Sequence, residues 1–127
     1  MVAEHFSQVD TWVFDLDNTL YPPSADLFGL MDLRFSRYVS RVTGLDRTAA
    51  LTLSEEYWRT YGSTLVGLME NHDVDPHHFL ADVHDIDISH LTPCDVMIDA
   101  VRSLPVRKVF YTNCSQNHAK RVLAARG

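Results

Sequence analysis

Cysteine is scarce in this sequence and basic charge is in deficit. Two thiols, Cys94 and Cys114, in 127 residues are too few for a disulfide framework, and neither stands in the spacing of a zinc knuckle. Reduced thiols in a cytoplasmic protein are the expectation. Lys and Arg number 11 against 17 Asp and Glu, a formal net charge of −6. That balance argues against a nucleic acid polymer as partner, because nonspecific binding needs a basic face. It does not exclude a phosphorylated small molecule if a cation is bound locally. No apolar run approaches the ~18 residues of a membrane span. The opening MVAEHFSQVD has neither the basic start nor the apolar core of a signal peptide, so no membrane partner is expected. Repeats, low-complexity segments and flexible linkers are also missing. What is present, 46% apolar and 22% charged residues, is the composition of a globular chain with length for one ordinary core.

The pattern along the chain is mixed. Val9 to Leu16 (VDTWVFDL) holds a nearly unbroken apolar run, which predicts a strand buried on both faces, as in a parallel sheet. From Pro22-Pro23 to about His90 the periodicity is helical. Ser24 or Asp26 can cap a first helix that Gly44 ends, and Asp46 can cap a second that Gly62 closes. Ser63 can start a short third helix, and Asp75-Pro76 is a strong start signal for a fourth. Thr92-Pro93 repeats that signal before Val96, Met97, Ala100, Val101 and Leu104. Val106 to Thr112 (VRKVFYT) reads as a second strand, and Ser115 can cap a last helix. Strands joined through helices imply a parallel pair. The fold class is α/β, with residues 22–90 as a helical cap inserted between the core segments 1–21 and 91–127.

Two polar clusters fall at strand carboxyl ends, Asp15-x-Asp17-x-Thr19 and Thr112-Asn113. Ligands of open α/β sheets bind outside those ends, and neighbouring strands would turn the two clusters toward each other. Paired carboxylates two residues apart call for a cation between them. The chemistry that fits is phosphoryl transfer through a covalent aspartyl phosphate. One carboxylate attacks phosphorus and a second carboxyl shuttles the proton. Mg²⁺ relieves repulsion between carboxylate and phosphate. A hydroxyl and backbone N–H groups at Thr112-Asn113, before a helix N-terminus, suit a phosphate oxygen.

Val13-Phe14-Asp15-Leu16-Asp17-Asn18-Thr19-Leu20 resembles the first motif of the haloacid dehalogenase superfamily, and Val109-Phe110-Tyr111-Thr112-Asn113 resembles its second. Tyr57-Trp58, Tyr61-Gly62-x-Thr64-Leu65, the His72 region, Val83-His84-Asp85-Ile86-Asp87 and His118-Ala119-x-Arg121-Val122-Leu123 are together similar to the pyrimidine 5′-nucleotidase branch. The likeness runs from Trp12 onward. It implies a partial Rossmann-like core and a Mg²⁺-dependent phosphatase acting on nucleoside 5′-monophosphates, with another phosphomonoester as a weaker alternative. By the same resemblance Asp15 is the nucleophile and a Mg²⁺ ligand. Asp17 is the general acid/base and offers its main-chain carbonyl to the metal. Thr112 holds the phosphate with help from Asn113, and the cap closes over the nucleoside. A carboxylate at Asp17 favours a phosphatase over a dehalogenase, which releases halide and needs no proton.

The sequence departs from that pattern. The family's third-motif lysine and fourth-motif acids lie further along than Gly127, and Lys120 sits too close to the second motif to stand in. The chain therefore resembles the front part of a family member. A catalytically silent fragment, acting at most as an interaction module, is the competing expectation. Two strands alone would leave an exposed apolar edge, which predicts self-association. Cys114 replaces the usual glycine after Thr-Asn, where a side chain can crowd the approach to phosphate. Other candidates have plainer readings. His72, His77, His78, His84 and His90, with Asp73, Asp75 and Asp82, do not space three zinc ligands convincingly. Arg34, Arg37 and Arg41 read as a solvated helix face, Trp12 as core, and Tyr61 as the best cap contact among Tyr57, Trp58 and Tyr61. Cys94 and Cys114 read as inert thiols.

Overall fold

The computed structural model describes Val2–Gly127, with side chains from Glu4 onward; Met1, where the expected core segment 1–21 begins, lies outside the described residues. The elements run α1 (Val2–His5), β1 (Thr11–Phe14), a 3₁₀ turn (Pro23–Ala25), α2 (Leu27–Thr43), α3 (Arg47–Tyr61), α4 (Thr64–His72), α5 (Pro76–Val83), α6 (Asp95–Ser103), β2 (Arg107–Phe110) and α7 (Gln116–Arg126). The α/β class expected from the sequence is what the chain adopts. The backbone divides into two compact units. One runs through Ala25 and resumes at Ile88–Gly127; the other is Asp26–Asp87.

In the first unit β1 and β2 pair in parallel, with Thr11 opposite Arg107 and Phe14 opposite Phe110. Both strands are shorter than the apolar runs suggest. β1 stops at Phe14 because the Leu16 carbonyl accepts from the N–H groups of Thr19 and Leu20 at 3.1 and 2.9 Å, and Asn18 turns to a left-handed φ of 57°. The expectation of a strand buried on both faces fails. Val13 is 63% exposed and Phe110 41%, because no further strand flanks the pair among the described residues. The Thr92-Pro93 start signal also misses. α6 begins at Asp95 with Cys94 at its N-cap, and Thr92 instead lends its carbonyl to the Arg126 guanidinium. No residue of α6 is buried. One side of it lines an apolar groove with Leu20, Phe110 and Leu123.

The second unit is all helix. α2 buries Leu27, Met31, Tyr38 and Val39, the three- and four-residue spacing of one helix face. Phe79 of α5 meets Phe35 and Tyr38 edge-on at centroid distances of 5.4 and 5.0 Å. Asp46 and Asp75 cap α3 and α5 through the N–H groups of Ala49 and His77, each at 2.9 Å. Asp26 sits at the N-cap of α2 without a side-chain cap bond, and Ser63 does the same for α4. Gly44 and Gly62 close α2 and α3 at φ near 71° and 74°, where a side chain would be strained.

Candidate active site

β1 and β2 are parallel and in register, so their carboxyl ends lie at the same edge of the pair. The ladder extends one bond past β2, from Tyr111 N–H to the Phe14 carbonyl at 2.8 Å. Asp15 leaves the sheet immediately beyond that bond. Its carboxylate is exposed and accepts from the Thr19 hydroxyl at 3.1 Å. Asp17 follows the turn and is half-buried. Its Oδ1 takes two contacts, the Tyr21 hydroxyl donating at 2.6 Å and His118 Nε2 at 3.0 Å. His118 is fully buried in the first turn of α7. Its place is fixed because Ser115 caps that helix, accepting from the His118 N–H at 3.2 Å.

Thr112 and Asn113 lie in the turn between β2 and α7. The Thr112 hydroxyl accepts from the Cys114 N–H at 3.2 Å and donates to Cys114 Sγ at 3.1 Å. Sulfur is a weak acceptor, so that hydroxyl can turn to a better one. Asn113 is exposed. Cys114 is no isolated thiol. Its sulfur, an Asp17 carboxylate oxygen and a His118 ring nitrogen lie within 4.8 Å of one another, and among the described residues this is the group of three able to hold a metal ion. Asp15 is not a member of it.

Burial shifts the protonation of two groups beside Asp17. Burial, and then the hydrogen bond to Asp17, push the Tyr21 hydroxyl far above the ordinary tyrosine range, so it stays a donor. Burial also raises the Cys114 thiol; the Thr112 contact opposes this and the Asp17 charge adds to it.

Sequence reasoning placed Asp15, Asp17, Thr112 and Asn113 at the strand ends. The structure brings Asp17 together with Cys114, in the turn after β2, and His118, in the first turn of α7. Three residues around Asp17 were missed as site residues. Tyr21 carries a local signal, four residues from Asp17, and Cys114 was read as an inert thiol. His118 is 101 residues away and was quoted only within the stretch similar to the nucleotidase branch, with no role. Three of the five histidines considered for zinc have structural partners instead: His72 Nε2 meets the Tyr57 hydroxyl at 2.8 Å, His78 Nδ1 meets that of Tyr38 at 2.9 Å, and His90 Nε2 bonds the Ala25 carbonyl at 2.7 Å. Arg34 and Arg41 pair with Asp85 and Asp82 at 2.7 and 3.0 Å.

No protein-family profile matches the chain. The chain is 29% identical over 125 residues to "Phosphate metabolism protein 8" of Saccharomyces cerevisiae, an alignment that takes in 90% of this chain and 39% of the relative. It therefore spans about two fifths of the length of that curated relative, whose name places the relative in phosphate metabolism.

Proposed function

We propose that the chain carries the nucleophile-bearing part of a Mg²⁺-dependent phosphomonoester hydrolase of the haloacid dehalogenase superfamily, with nucleoside 5′-monophosphates, pyrimidine ones first, as substrates. One observation carries the reading. An exposed carboxylate, Asp15, stands at a strand end, and a second, Asp17, is fixed two residues on by a tyrosine and a buried histidine. The similarity to a phosphate metabolism protein supports it.

Asp15 attacks the phosphorus of the bound ester, forming an acyl phosphate as the bond to the leaving alcohol breaks. Asp17, in its protonated form, gives that alkoxide its proton. The resulting Asp17 carboxylate then takes a proton from water as the water attacks the acyl phosphate. Inorganic phosphate leaves, Asp15 is regenerated, and Asp17 is again protonated. Tyr21 and His118 orient Asp17 by holding its Oδ1. The Thr112 hydroxyl and the N–H groups opening α7 are donors for phosphate oxygens.

The donor set fits Mg²⁺. Asp15 offers an exposed anionic oxygen, and the Asp17 main-chain carbonyl is a second hard donor, whereas the Asp17 side chain faces Tyr21 and His118. Mg²⁺ takes one or two carboxylates and keeps several waters. When bound, the ion neutralises charge between carboxylate and phosphate.

Phosphate release from UMP, CMP, AMP and p-nitrophenyl phosphate, with Asp15→Asn alongside, tests the reading. Release that needs Mg²⁺ and falls at least ~10³-fold in Asp15→Asn is expected, since removing a nucleophile abolishes the covalent route. Soluble protein that releases no more phosphate than the variant would leave the silent-fragment reading in its place.

A further inference from the structure

Asp17, Cys114 and His118 bring together three different donor types. They come from the turn after β1, the turn after β2 and the first turn of α7, and one donor atom of each lies within 4.8 Å of the others. A carboxylate, a thiolate and an imidazole suit a borderline divalent ion, whereas Mg²⁺ prefers oxygens alone. Tetrahedral zinc, with bonds of about 2.0–2.3 Å, spaces nitrogen and oxygen ligands about 3.3 Å apart and sulfur about 3.6 Å from either. Asp17 Oδ1 and His118 Nε2 stand 3.0 Å apart. The 4.8 Å that bounds all three donor separations encloses this spacing.

The surroundings also resemble those of a built site. His118 is fully buried and Cys114 half-buried. Tyr21 holds Asp17, Thr112 holds the Cys114 sulfur, and the Ser115 cap fixes the turn that carries His118. Contacts of this kind orient metal ligands and tune their affinity.

We infer that Asp17, Cys114 and His118 form a site for a thiophilic divalent cation of the zinc class, with three protein donors and water as the fourth, built on the Asp17 side chain rather than on the Asp15 carboxylate and Asp17 main-chain carbonyl proposed for Mg²⁺. The inference stands on the cluster itself and does not depend on the phosphatase reading. Held there, the ion occupies the Asp17 carboxylate and excludes the proton transfer proposed for it, so the two readings describe alternative states of the site.

Cobalt reports this directly. Titrating the purified protein with Co²⁺ should give a near-ultraviolet thiolate-to-cobalt charge-transfer band and the strong visible bands of tetrahedral cobalt. Equimolar Zn²⁺ should bleach both, and a large excess of Mg²⁺ should leave them. Cys114→Ser should lose the charge-transfer band while its far-ultraviolet circular dichroism matches the parent. Cys94→Ser and Asp15→Asn should keep the band. Its absence from the parent protein, its survival in Cys114→Ser, or its loss in Asp15→Asn would overturn the site.

Discussion

The two units handle their polar groups differently. In Asp26–Asp87 the polar side chains pair among themselves. Arg34 and Arg41 converge on Asp82, Tyr38 and Tyr57 each meet a histidine, and the buried Thr64 hydroxyl bonds the Ser54 carbonyl at 2.8 Å. Its apolar core holds Leu27, Val39, Ala50 and Leu68 at 0% exposure, with Trp58 alone among its large apolar residues more than 60% exposed. The sheet-bearing unit leaves Val96, Tyr111 and Val13 more than 60% exposed. It gathers polar groups at one place, beyond the strand ends. Helices satisfy their own backbone and free side chains for packing. Strand ends leave backbone and carboxylates together where the ladder stops, and chemistry can be built there.

The contrast can be broken at either end. The largest effect belongs to Asp17→Asn in the sheet-bearing unit. The kcat/KM for nucleoside monophosphates should fall by about 10²–10⁴-fold, and that for p-nitrophenyl phosphate by much less, because a good leaving group needs no proton in the first transfer. Equal losses in kcat/KM, which excludes the later water attack, would remove Asp17 from proton donation to the leaving group.

In the helical unit the expected effect is on stability. Gly67 is buried in α4 with no room for a side chain, since an added Cβ would overlap the Tyr57 ring of α3. Gly67→Ala should therefore destabilise by about 1–3 kcal/mol through overpacking, read as a lower urea midpoint. An unchanged midpoint would show that α3 and α4 separate easily.

The smallest effect is alkaline. Burial raises the Tyr38 and Tyr57 hydroxyls above their ordinary range, so the folded form holds those protons after the unfolded chain has released them. Their contribution is fully present below the usual tyrosine value of about 10 and is lost as pH rises from there through the raised folded value. Thermal melts from pH 8 to 11 should fall more steeply for the parent than for Tyr38→Phe or Tyr57→Phe. At pH 8 each variant should lose about 1 kcal/mol with its hydrogen bond.

What the sequence made legible was local. Asp46, Asp75 and Ser115 cap helices because an N-cap needs only the next two or three N–H groups. Gly44 and Gly62 mark helix ends because few other residues accept that backbone. Asp15 and Asp17 stood out because like charges after an apolar run need a reason. The partners of Asp17 were hidden to different degrees. Tyr21 is within one turn, while His118 answers from the far end of the chain and could have been read as any helix histidine. The strand-burial reading failed for a related reason. An apolar run records the capacity to be covered on two faces and does not record whether neighbours do so.

The division of the backbone also implies an order in time. The helical unit is one uninterrupted stretch, Asp26–Asp87, so its contacts span short sequence distances and can form as soon as the stretch emerges during synthesis. The sheet-bearing unit is split around it. β1 waits for β2, and Asp17 waits for His118. The Asp17–His118 contact thus forms only after the helical unit has emerged, and a nascent chain stalled before α7 carries Asp17 without its histidine.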